Sequence, residues 1–153
     1  MTSSKNIEPM DCDFCKIARG EDPFVRAVCA AENWVAFFPL NPVTLGHTLV
    51  IPRTHVPDLW RVEPTQGAEL MTAVIKMGSA IESALSPEGM NLITSAGNAA
   101  EQTVLHLHLH LVPRWHQDGF GRIWSQRGQV DNARLDHAAE RIRQACADFP
   151  LEY

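Results

Sequence analysis

The sequence predicts an α+β domain: an antiparallel sheet packed with one long central helix, followed by a C-terminal helix. Three observations carry this. Residues 106–112, His-Leu-His-Leu-His-Leu-Val, alternate polar and apolar side chains with the period of two that marks a strand. Residues 66–85 carry Leu70, Val74, Met77 and Ile81 at spacings of three and four, the stripe of an amphipathic helix. Leu135, Ala138, Ala139, Ile142, Ala145, Cys146 and Phe149 form a second such stripe near the end of the chain.

The remaining elements follow in order. Residues 1–11 read as a flexible leader, and 12–153 as a single domain. Cys12-Asp-Phe-Cys15 is a Cys-x-x-Cys knuckle leading into residues 16–19, and residues 20–23 make a turn. Residues 25–28 and 34–38 read as strands joined by a turn near 31–33. A loop with two prolines spans 39–46, and residues 47–51 form another strand, ended by Pro52. Ser86-Pro-Glu-Gly89 stops the long helix, 91–94 is a strand, and 95–101 is a loop carrying Gly97. No internal repeat or low-complexity segment stands out.

Composition narrows the function classes. A net charge of -5 argues against a general nucleic-acid binder, which shows a basic surface. It leaves room for a nucleotide, because a phosphate can be held by a few local donors. No run is apolar enough to span a bilayer, so no membrane role is expected. The first residues lack an apolar signal core, and the chain reads as cytoplasmic. In that setting the four cysteines read as metal ligands or buried thiols rather than disulfides, with Cys29 and Cys146 expected to be buried.

Three of the seven histidines stand in the one strand. The alternation places His106, His108 and His110 on one face and Leu107, Leu109 and Leu111 on the other, toward a core. The outer two would lie roughly 13 Å apart, too far for one metal ion to hold all three easily. A second use is phosphoryl or nucleotidyl transfer, in which one neutral imidazole attacks phosphorus while neighbours hold the oxygens and hand over a proton. The plain alternative is an exposed strand with chance histidines.

The pattern His-φ-His-φ-His-φ-φ resembles the histidine triad (HIT) superfamily at every position. Four further stretches resemble its bacterial Hint-like branch: residues 12–17, 46–55, 102–104 and 118–124. The resemblance spans roughly residues 12–124 and implies a HIT-like fold for the domain. It implies His108 as the nucleophile on the α-phosphorus of a nucleoside monophosphate derivative, through a covalent nucleotidyl-histidine. His110 would touch the phosphate and assist proton transfer to the leaving group. His47 would support the nucleophile, unless it is a satisfied core histidine. Gln102 and Thr103 would offer donors to the phosphate. Phe14, Ile17 and Phe38 would form the apolar wall for the base, or plain core. Cys12, Cys15, His55 and His106 would close a structural zinc site; two core cysteines and two hydrogen-bonded histidines are the alternative. Homodimers are typical of the relatives, and Trp124 would line the neighbour's pocket or belong to the core.

The expected substrate is a nucleoside phosphoramidate or an aminoacyl adenylate. A dinucleoside polyphosphate, or a nucleotide-binding regulatory role with negligible turnover, is the alternative. Three departures from the family pattern bear on this choice. Pro39 stands where Hint-like relatives usually carry an Asp that grips the ribose hydroxyls, so ribose recognition is weakened or moves to a residue such as Asn41. Ser95 stands where an Asn commonly helps at the phosphate. Glu101 replaces a Gly, and a carboxylate about 4 Å from a phosphate charge costs about 4 kcal/mol at surface-like dielectric. Either Glu101 points away and lends its backbone N–H, or the ligand carries a neutral or positive group.

Overall fold

Every residue of the strand 48–52 is buried, and the sheet is layered about it. The computed structural model describes residues 12–124 and 130–147. The chain divides into two compact units, 1–120 and 121–153.

The first unit opens with α1 (Asp13–Arg19), where the sequence suggested only a knuckle. Gly20 ends this helix at φ 76°, a left-handed conformation that glycine adopts without strain. Then come β1 (Arg26–Ala30), β2 (Trp34–Phe38), β3 (Thr48–Pro52), α2 (Pro64–Leu85), β4 (Gly89–Ile93) and β5 (Leu109–Arg114). The strands make one antiparallel sheet in the order β1-β2-β3-β5-β4. The expected α+β architecture is therefore present.

Boundaries moved for local reasons. Helix α2 starts at Pro64 rather than Gln66, because a proline at the first helical position needs no N–H partner. The triad strand ladder begins only at Leu109 and runs past Pro113, which pairs with Met90. His106, Leu107 and His108 are an extended lead-in: the Leu107 N–H donates to the Val56 carbonyl at 2.6 Å, and the Thr94 hydroxyl donates to the His108 carbonyl at 2.9 Å. Side-chain alternation survives in this lead-in although the ladder does not.

The register sets two faces. Phe37, Leu49 and His110 lie side by side across β2, β3 and β5, while Ala36, Val50 and Leu109 lie one position over on the opposite side. The first face packs Val35, Phe37, Leu49 and Ile51 against Ala18, Phe14 and Ile17 of α1. The second packs Ala36, Val50, Leu107, Leu109 and Leu111 against Leu70, Val74, Met77 and Ile81 of α2. Each such side chain contributes about 1.5–3 kcal/mol when fully buried. The histidines thus share a face with α1, and the leucines anchor the strand onto α2.

Two burial expectations are corrected. Cys29 is exposed because β1 is an edge strand whose five residues are all exposed. Cys146 is exposed on α3 (Asn132–Ala147), the helix of the second unit. Within that unit no residue of α3 is buried, so Leu135 and Ile142 are exposed rather than core. Phe149 and the leader before Cys12 lie outside the described residues.

Candidate functional site

The site is built on the lead-in and start of β5, the residue before β3, and one ring from α1. His108 is 6% exposed, and its Nδ1 lies 2.6 Å from the carbonyl oxygen of His106. A carbonyl only accepts, so Nδ1 carries the proton and Nε2 keeps its lone pair. Burial pushes the His108 pKa below its ordinary value, which holds the ring neutral. The neighbouring His110 ring is 4.9 Å away, centre to centre, inclined at 66°.

His110 is oriented by His47. The His47 Nε2 and His110 Nδ1 atoms are 2.9 Å apart, and the Val43 N–H donates to His47 Nδ1 at 3.2 Å. Because Nδ1 of His47 accepts, its Nε2 carries the hydrogen and donates to His110. The remaining hydrogen of neutral His110 then sits on its outward Nε2. Burial, helped by the nearby His108 and His47, pushes the His110 pKa down to about 4. Burial alone lowers that of His47. The sequence left His47 open between a supporting and a core role; it is buried and bonded to the triad.

Phe14 joins the histidines to a cavity. Its ring stands edge-on to His108 at 5.2 Å and lines a hollow of about 630 Å³. Ile17, Phe38, Pro39, Asn41 and Thr103 line the same hollow. A space of this size suits a small molecule such as a nucleoside, with an apolar wall of Phe14, Ile17 and Phe38 beside charged side chains that include Asp13, Lys16 and Arg26. The expected binding residues Phe14, Ile17, Phe38, Asn41 and Thr103 are therefore brought together. Ser95 and Glu101 stand on the neighbouring loop, away from the cavity wall. Glu101 adopts φ 62°, a left-handed conformation, and its N–H donates to the Asn98 carbonyl at 3.0 Å. Its backbone N–H is thereby occupied.

Gln102 departs from expectation. Its side chain is buried, with Nε2 donating to the carbonyls of Pro57 at 2.7 Å and Val104 at 3.0 Å. Its Oε1 accepts from the Gly97 N–H at 2.9 Å. Both amide hydrogens are used, one on Pro57 and one within the loop, so the side chain fastens the loop. Thr94, Val43 and the His106 carbonyl matter here and had no signal in the sequence, since their contributions come from backbone groups or from a hydroxyl of ordinary spacing.

A second cluster lies behind the first histidine. Cys12, Cys15, His55 and His106 bring one potential ligand atom each to within 4.8 Å of one another. The sulfur–nitrogen separations are 3.5 Å for Cys12–His106, 3.3 Å for Cys15–His55 and 3.5 Å for Cys15–His106. In a tetrahedral shell with ordinary metal–sulfur and metal–nitrogen bonds that edge is roughly 3.6 Å. His106 Nε2 donates to the Pro52 carbonyl at 2.9 Å, which turns the Nδ1 lone pair toward the thiols. Burial, with Cys12 alongside, pushes the Cys15 thiol up to about 11, as expected where two sulfurs face each other without a cation. The residues present fit a metal ion.

Arg53 donates to the carbonyl of Ala31, just past β1, and to that of Ala18 in the last turn of α1. Arg114 pairs with Asp118. His116 is exposed beside Glu88, and His137 is exposed on α3. Trp124 is exposed, not core.

Comparison with known proteins agrees with this geometry. The HIT domain profile matches residues 25–117. A Bacillus subtilis relative, Protein hit, is 38% identical over 74% of this chain and 79% of its own. The adenosine 5'-monophosphoramidase hnt1 of Schizosaccharomyces pombe is 34% identical over 75% of this chain and 84% of its own. A zinc-bound histidine triad family protein from Mycobacterium smegmatis superposes with a TM-score of 0.68 at 34% identity, covering 90% of this chain and 99% of that one. A histidine row of this order on this sheet, inside a profile that spans more than half of the residues, places the chain in the HIT domain family.

Proposed function

We propose that this protein hydrolyses nucleoside 5'-monophosphate derivatives, phosphoramidates first among them, by way of a nucleotidyl group carried on His108. The observation that carries the reading is the 2.6 Å bond from His108 Nδ1 to the His106 carbonyl, which leaves the lone pair on Nε2. That nitrogen attacks the α-phosphorus, and the bond to the leaving nitrogen breaks. The carbonyl of His106 steadies the charge that appears on the ring. One proton enters from solvent and departs on the amine. His110, the ring beside His108 with its hydrogen on Nε2, assists that transfer. Water then attacks phosphorus, gives up its proton, and releases His108 and the nucleoside monophosphate. The phosphoramidase relative supports a P–N substrate.

We further propose zinc as the ion of the Cys12–Cys15–His55–His106 cluster, in a structural role. The Cys₂His₂ donor set and its sulfur–nitrogen edges support this, and all four protein ligands close the shell. The zinc-bound relative is consistent with it.

Intact-mass spectrometry of the protein with adenosine 5'-phosphoramidate, beside a His108→Gly control, tests the reading. A transient adduct of adenosine monophosphate mass on wild type only is expected. Absence of adduct and product, with nucleotide binding intact, would replace the enzyme by a nucleotide-binding protein.

A further inference from the structure

We infer that residues 55–60 are a tie through which the Cys12–Cys15–His55–His106 cluster holds loop 95–104 beside His108, with Gln102 as the positioning residue. The kinetic part of this inference rests on the nucleotidyl-transfer reading; the structural part does not.

Each link is a short contact. His55 belongs to the cluster, and the next carbonyl, of Val56, accepts from the Leu107 N–H at 2.6 Å, between the first two histidines of the row. The carbonyl of Pro57 accepts from Gln102 Nε2 at 2.7 Å. Buried Asp58 accepts from the Trp60 N–H at 3.0 Å and pairs with Arg61 at 2.8 Å, which fixes the short turn Leu59–Arg61. That turn presents the Trp60 ring to the loop: a Cβ placed on Gly97 would stand 3.7 Å from the indole. Trp60 is nevertheless 73% exposed, so little of its ring serves the core.

On the loop side, Gln102 closes a ring of bonds. Its Oε1 accepts from the Gly97 N–H at 2.9 Å, and its own N–H donates to the Gly97 carbonyl at 3.2 Å. Gly97 sits at φ 83° and ψ 166°, a conformation that essentially only glycine adopts, so the loop depends on these fastenings. One end of the loop carries Ser95, and the other brings Thr103 to the cavity wall. A chain of bonded groups joins the two sites, and coupling carried along it acts in both directions.

Hydrogen exchange read by mass spectrometry, on metal-loaded wild type, Gln102→Ala and Trp60→Ala and on wild type after chelation, tests this. In Gln102→Ala, peptides over 95–104 should exchange about tenfold faster while α2 stays protected. Chelated wild type should loosen the same peptides. Competition with a chromophoric chelator should show metal affinity lowered about fivefold or more in Gln102→Ala, by reciprocity. With a nucleoside phosphoramidate, kcat should fall about tenfold or more with KM changed less than about threefold, as for a misplaced group that acts in the transition state.

Unchanged exchange over 95–104 in Gln102→Ala, or unchanged metal affinity, overturns the inference. So does chelation that loosens 12–19 and 53–60 alone. If chelated protein unfolds throughout, the affinity measurement decides; if Gln102→Ala does not fold, exchange and affinity in Trp60→Ala decide. Absence of turnover in every sample would remove the nucleotidyl-transfer reading and leave the exchange result standing.

Discussion

His47 and His110 face each other ring to ring, 5.1 Å between centres and inclined at 29°, with Nε2 of the first 2.9 Å from Nδ1 of the second. The hydrogen between them can be supplied by His47 because the Val43 N–H already fills its other nitrogen. Two neutral rings satisfy this geometry, whereas an extra proton on His110 Nδ1 would set N–H against N–H.

The pair should therefore titrate late. Burial and the flanking imidazoles lower the folded-state pKa of His110 from 6.5 to about 4. The neutral ring is the one favoured by folding, so its contribution to stability is full above pH 6.5 and is lost as pH falls toward about 4. Ring resonances of His110 followed by NMR should stay neutral through pH 5. In His47→Asn the midpoint should move up but stay below 6.5, because burial, the larger cause, remains. A His110 midpoint near 6.5 in wild type would break the assignment.

The metal cluster makes a stability prediction. Cys15→Ser removes a sulfur that lies 3.3 Å from His55 Nδ1 and 3.5 Å from His106 Nδ1. Loss of one ligand should take bound metal from one per chain to a small fraction, read by elemental analysis. Metal binding is folding free energy in such sites. A loss of about 4 kcal/mol would lower Tm by about 8–16 °C for a chain of this size, measured by calorimetry. Equal Tm and no metal in either protein would mean that the four residues are plain core.

Arg114 and Asp118 give an acid-stability prediction. Arg114 Nε donates to the Asp118 carboxylate at 2.5 Å, and the N–H groups of Phe120 and Trp115 add bonds at 2.9 and 3.2 Å. The guanidinium first, then these amides, hold the Asp118 carboxyl down at about 2 from an ordinary 3.8. A depressed acid stabilises the fold above its unfolded pKa and loses that contribution as pH falls from about 4 to about 2. Urea midpoints measured across that range should fall less steeply in Asp118→Asn than in wild type. Parallel slopes would show that the pair is formed in the unfolded chain as well or not at all.

The histidine row was legible because a period of two survives whether or not a ladder forms: His106 and His108 keep their face while the Leu107 N–H between them goes to the Val56 carbonyl and the His108 carbonyl takes the Thr94 hydroxyl. The long helix was legible from Leu70, Val74, Met77 and Ile81. The side on which a small apolar residue ends was not. Cys29 reads as a buried thiol in sequence and is exposed because β1 takes the sheet edge, a fact of strand order alone. Gln102 was legible as a loop residue beside the phosphate region, but the partners of its amide are carbonyls at Pro57 and Val104, and no side-chain pattern encodes a carbonyl's direction. The Cys12, Cys15, His55 and His106 grouping needed family resemblance, since 40 residues separate Cys15 from His55 and 91 separate Cys15 from His106.

Pro39 offers a gain-of-function test of sugar recognition. It lines the cavity next to Phe38 and two residues before Asn41, and it brings no side-chain acceptor. The carboxylates of the same cavity are engaged elsewhere: Asp13 with Lys16, Glu21 with Arg19, and Asp22 with the Phe24 N–H. Asn41 and Thr103 are the neutral polar side chains of the cavity wall, and neither supplies a charged acceptor for a vicinal diol. A hydrogen bond to a charged group contributes about 1.5–3 kcal/mol. Pro39→Asp should raise kcat/KM about tenfold or more for a ribonucleoside phosphoramidate and leave the 2'-deoxy analogue within about twofold. Wild type, by the same reasoning, should discriminate little between the two. Equal gains on both substrates would show that Pro39 acts through the backbone of the 39–46 loop, and hence through the placement of His47, rather than through the sugar.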